Sequence, residues 1–106
     1  MRHLPPKSLG PESKKLWTAI VREYRIDDPA GLVTLQVACQ AYDRFLEAQA
    51  ILDKEGLVVE DRTGKPKQHP ATFIERDART AFLRALSALN LAVAPAEAVG
   101  APLAKY

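Results

Sequence analysis

The chain has 106 residues, 47% hydrophobic and 26% charged, with a formal net charge of +2 and a pI near 8.8. That length makes one domain with a core and leaves no mass for separate catalytic and regulatory lobes, and the composition is that of a folded, soluble protein. With so small a net charge, only local clusters of Lys and Arg could mark a nucleic-acid surface.

Residues 1–9 carry Arg2, His3 and Lys7 around Pro5 and Pro6 and read as a flexible basic arm. Pro11 then suits a first helical turn, with Gly10 or Ser8 near the cap, and the spacing predicts a helix to about Arg25. Leu16, Trp17, Ile20, Val21 and Tyr24 gather on one face of it, which assigns Trp17 and Tyr24 to the core. Lys14, Lys15, Arg22 and Arg25 collect on the other face with little acidic opposition.

After a short turn the longest element runs over 28–56. Asp28 is placed as N-cap, Pro29 fits the first turn, and Gly56 is placed to stop the helix in the left-handed conformation. Such a helix is about 40 Å long, more than a compact chain of this size would contain. Gln36, Gln40, Asp43, Arg44, Glu47 and Lys54 form a polar arc, and apolar residues fill most of the remaining circumference. An ordinary surface helix needs an apolar stripe little wider than about 100°. Two packing surfaces are therefore expected: one for the chain's own core, one for a second copy through Leu35, Ala38, Tyr42, Phe45, Leu46 and Leu52. The alternative is that the other two helices cover the whole arc.

Beyond Gly56 the period changes. Leu57, Val58 and Val59 are β-prone, 61–64 is rich in turn residues, and 65–68 can return as a second short strand that Pro66 confines to an edge. A hairpin or extended β-like loop follows, bearing Arg62, Lys65 and Lys67. Pro70 opens a third helix with His69 outside it and Asn90 as its left-handed cap. Ile74, Ala78, Ala81, Phe82, Ala85, Leu86 and Leu89 make its apolar face, and Arg76, Arg79 and Arg84 lie opposite. Residues 92–106, rich in Ala and Pro, read as a flexible tail, leaving 10–91 as the helical domain.

Groups that do chemistry are scarce. The sequence has no Walker-type phosphate loop, no cysteine pair at metal spacing, and only His3 and His69 as imidazoles, so no catalysis, metal or cofactor is expected. Asp43 and Glu47 read as a solvated helix face. Cys39 is alone, which excludes an internal disulfide and suits a reducing compartment, and its place on the apolar arc makes it a buried structural thiol. His69 reads as a side chain bonded to nearby backbone at the hairpin exit rather than a phosphate-touching group. No segment can span a bilayer and no apolar run of the signal-peptide kind follows residues 1–6, so a cytoplasmic protein is expected.

From Leu9 to Leu91 the chain resembles the small subunit of tailed-phage terminases. The likeness rests on Trp17, Ile20 and Tyr24, on the run Cys39, Gln40, Ala41, Tyr42, Asp43 and Arg44, on Gly56, on the Gly64 turn before His69 and Pro70, and on Phe82, Leu83, Leu89, Asn90 and Leu91. Asn90 stands where the pattern usually has glycine. The resemblance implies a noncatalytic homo-oligomeric ring in the host cytoplasm that binds viral double-stranded DNA. It would deliver that DNA to the large subunit, which carries the ATPase and nuclease. Lys14, Lys15, Arg22, Arg25, Arg62, Lys65 and Lys67 are expected to make the DNA surface, multiplied around the ring. Two other classes fit the same residues: a small helical adaptor or assembly protein without DNA binding, and a dimeric DNA-binding regulator.

Overall fold

The structure, a computed structural model, describes residues 3–91. The expected tail, 92–106, lies outside the described residues. The fold is mainly helical: α1 (Pro11–Tyr24), the long α2 (Pro29–Glu55), an antiparallel ribbon of β1 (Val58–Glu60) and β2 (Pro66–Gln68), and α3 (Ala71–Ala88).

Local sequence sets the ends of these elements. The Asp28 carboxylate accepts the Gly31 amide at 2.8 Å and caps α2, and Pro29 follows in the first turn. At the other end the Gly56 amide donates to the Leu52 carbonyl at 2.7 Å. Gly56 has φ 85° but ψ 167°, which corrects the left-handed stop: the chain leaves the helix already extended, entering the ribbon directly. α3 closes as a Schellman motif. The Leu91 amide donates to Leu86 and the Asn90 amide to Ser87, with Asn90 at φ 63°.

α2 and α3 form an antiparallel pair. Glu55 meets His69 at one end, Tyr42 packs at a tilt against Phe82 with centroids 5.2 Å apart in the middle, and the Leu35 region joins Leu86 and Leu89 at the other end. Ala71, Ala78 and Ala85 are the buried residues of α3, spaced by seven as in a coiled-coil seam. This corrects the expected face. Ile74 is 50% exposed and Ala81 is also exposed, because small residues at the seam let the helices approach closely and turn the flanking positions outward.

α1 packs only on the N-terminal half of α2, where Leu9, Trp17, Ile20, Leu35 and Cys39 make the core with Leu32, Leu86, Leu89 and Leu91 around it. Trp17 is 4% exposed, as its spacing predicts, and its indole N–H donates to the His3 carbonyl at 3.0 Å. Leu9, counted with the arm in the sequence, is a core residue. Tyr24 is 44% exposed rather than buried, since α1 ends there and Arg25 turns the chain away at φ 51°.

Asp43 is also corrected. It is half-buried, and its carboxylate accepts the Gly10 amide at 3.1 Å and the Ser13 hydroxyl. Ser13 also lies 3.0 Å from the Cys39 carbonyl and shares its one proton between the two acceptors. A side chain of α2 thus caps α1, whose own N-cap residue, Gly10, has no side chain to do so.

Candidate nucleic-acid interface

Two basic groups emerge. On α1, Lys14, Thr18 and Arg22 follow one another at helical spacing, with Lys15 at the border, while Glu12 and Glu23 fall on a separate flank; Arg25 stands just past the helix as its left-handed C-cap. Arg22 and Arg25 are exposed, Lys14 half-buried, and Lys14 and Arg22 are about 12 Å apart along the axis. Lys15 lies 3.5 Å from Glu12, both well exposed, so this pair takes little from its charge. Burial of Trp17 and Ile20 on the opposite side fixes which way the stripe faces.

The second group is the ribbon tip. Val58 pairs with Gln68, Val59 with Lys67 and Glu60 with Pro66, and the Asp61 amide extends the ladder to the Lys65 carbonyl at 2.9 Å. Asp61 Oδ1 accepts the Thr63 amide (2.8 Å), the Thr63 hydroxyl (2.7 Å) and the Lys65 amide (3.0 Å). These bonds, with the Thr63 hydroxyl foremost, hold its carboxyl below the usual carboxylate range. The tip is a bonded turn, not a loose loop. Arg62, Lys65 and Lys67 are exposed, and among the described residues no carboxylate pairs with them.

The fold brings each group together but separates one from the other. α1 meets α2 between Leu32 and Asp43, whereas the ribbon lies past Glu55. A single protomer therefore offers two basic patches toward opposite ends of α2. Two of the three α3 arginines are more engaged: Arg76 lies 3.2 Å from Asp77 and over the Phe73 ring, and Arg79 lies 3.8 Å from Glu75, while Arg84 is exposed.

Of the residues expected to contact a second copy, Leu35 and Ala38 are 0% exposed within their own protomer and have no surface to share. Tyr42, Phe45, Leu46 and Leu52 are half-buried. Among the described residues, no third helix covers the C-terminal half of α2 and the N-terminal half of α3, and exposed Ile51, Phe73 and Ile74 lie there.

Sequence reasoning missed what anchors the ribbon. His69 is buried; its Nδ1 accepts the Ala71 amide at 3.0 Å and its Nε2 lies 2.8 Å from Glu55 Oε1. The backbone contact matches the structural reading of His69, and the Glu55 contact ties the end of α2 to the start of α3. With Nδ1 accepting, the proton resides on Nε2 and is donated to the carboxylate. The Asp-x-Thr-Gly pattern at 61–64 could have revealed the Asp61 turn.

Among the described residues no group of three or more His, Cys, Asp or Glu could hold a metal ion, and no helix is long and apolar enough to cross a membrane. A family model described as phage terminase, small subunit, matches residues 13–104. No curated protein and no solved structure matches the chain.

Proposed function

The chain belongs to the phage terminase small-subunit family, and we propose that it is the noncatalytic DNA-recognition subunit of a genome-packaging motor. It assembles as a homo-oligomeric ring in the host cytoplasm, holds viral double-stranded DNA through its phosphates, and passes it to the large subunit that carries the ATPase and nuclease. The observation that carries the DNA-binding part is the α1 stripe of Lys14 and Arg22, with Lys15 beside it, the exposed Arg25 at the helix's C-cap and the glutamates segregated to another flank. Such a stripe offers phosphate contacts that position a duplex without reading its sequence.

Assembly multiplies that stripe around a ring and supplies a use for the two-helix end of the molecule. Phe45, Leu46 and Leu52, with the exposed Ile51, Phe73 and Ile74, are the side chains available for the subunit contact. A native mass spectrum with and without a short duplex tests the reading. A closed homo-oligomer that gains the mass of one duplex supports it. A protein that stays monomeric at micromolar concentration overturns the ring, and an oligomer that never gains DNA overturns the binding role.

A further inference from the structure

The ribbon tip has a geometry that suits a groove rather than a surface. Three residues, Arg62, Thr63 and Gly64, connect the paired Asp61 and Lys65. The Gly64 amide donates to the Asp61 carbonyl at 3.0 Å and Gly64 has φ 82°, the pattern of a turn followed by a glycine bulge. Asp61, the acid beside Arg62, directs its carboxylate at the turn's own donors. Arg62 therefore stands exposed at the first loop position, unpaired among the described residues.

The base of the ribbon is held on both helices. The His69 amide donates to the Leu57 carbonyl at 2.8 Å, and the His69 ring bridges Glu55 of α2 and the Ala71 amide of α3. From the Leu57–His69 contact to the Asp61–Lys65 pair the ribbon extends about 14 Å at strand rise, before the loop is added. The major groove of duplex DNA is about 8.5 Å deep and about 12 Å wide, enough for two strands about 4.8 Å apart, whereas the minor groove is about 6 Å wide. Strand alternation puts Lys65 and Lys67 on one face of the ribbon and Glu60 on the other.

We infer that this ribbon enters the major groove of double-stranded DNA, that Arg62 reads guanine there through N7 and O6, and that Lys65 and Lys67 contact the flanking phosphates. The inference rests on the DNA-binding reading above and adds a base preference to it. The rigid Arg fork matches the two guanine acceptors together, while a Lys ammonium reaches them as a flexible point charge and holds them less well.

The experiment is fluorescence anisotropy of the full chain with a GC-rich duplex in three forms: natural, with 7-deazaguanine, which lacks the major-groove N7, and with inosine, which lacks the minor-groove amino group. The wild type should bind the 7-deaza duplex about 5- to 150-fold more weakly and the inosine duplex unchanged. Arg62→Lys should keep the salt dependence and reduce the difference. Asp61→Ala removes a negative charge, which alone would strengthen binding to DNA, yet by loosening the turn it should also shrink the difference. Equal wild-type binding to natural and 7-deaza duplexes, a loss on inosine alone, or a full difference retained in Arg62→Lys each overturns the inference. Failure to bind any of the three at low salt overturns the underlying DNA-binding role instead.

Discussion

The carboxylate of Asp43 accepts the Gly10 amide and the Ser13 hydroxyl across 33 and 30 residues of sequence, so the docking of α1 depends on one side chain of α2. Asp43→Ala leaves both donors without their acceptor and should destabilise the fold by about 1–3 kcal/mol in urea titrations. Asp43→Asn, which keeps an acceptor, should cost less. Cys39, fully buried beside this contact, has its thiol pushed up to about 12 from an ordinary value of 9.0, by burial first and the Asp43 charge second. Above pH 9.0 the unfolded chain releases this proton while the native chain retains it, so the contribution of Cys39 to stability is intact below that pH and is lost as pH rises toward about 12. Urea midpoints at about pH 8 and about pH 10.5 should therefore fall further in the wild type than in Cys39→Ala. Equal falls would show that the thiol ionises alike in both states.

Among the elements, the joint between α2 and the ribbon is the most demanding on residue type. Gly56 at φ 85° and ψ 167° occupies a region essentially confined to glycine, and a Cβ placed there would meet nothing within 4 Å. Gly56→Ala should thus cost about 1–3 kcal/mol from backbone conformation alone, whereas Gly64→Asn in the turn should cost less, because asparagine tolerates positive φ. A thermal melt of Gly56→Ala superimposable on the wild type would contradict this. Signals confined to a few residues were legible in the sequence: the Asp28 cap, Pro29, the Asn90 cap, the ribbon and the burial of Trp17 and Cys39. What depended on partners distant in sequence was not. Nothing local marks Asp43 as the cap of α1 or Glu55 as the partner of His69. Of the α3 seam, Ala78 and Ala85 lay on the predicted face, whereas Ala71 was missed and Ile74 was placed there because hydrophobicity alone favours it, and the close helix pair turns it outward. The basic residues proposed to meet DNA could be named from the sequence, but their division into two patches toward opposite ends of α2 required the fold.

For the whole molecule, the proposed assembly uses the α2–α3 pair as the subunit contact and repeats the two basic patches from copy to copy. Ile51 is exposed on the half of α2 that α1 does not reach, so Ile51→Glu should leave the protomer folded by circular dichroism. It should also reduce the oligomer's mass in sedimentation, because the charge would have to be buried at the contact. An unchanged mass would place the contact elsewhere. The central claim, that the α1 stripe holds DNA by its phosphates, is tested most directly by the salt dependence of duplex affinity in the wild type and in Arg22→Ala/Arg25→Ala. Each phosphate contact contributes about 0.9 to the slope of log affinity against log salt. The account predicts weaker binding to every duplex sequence and a slope shallower by about 1.8 per protomer engaged, with the oligomer mass unchanged. The same affinity and the same slope in the two proteins would contradict it.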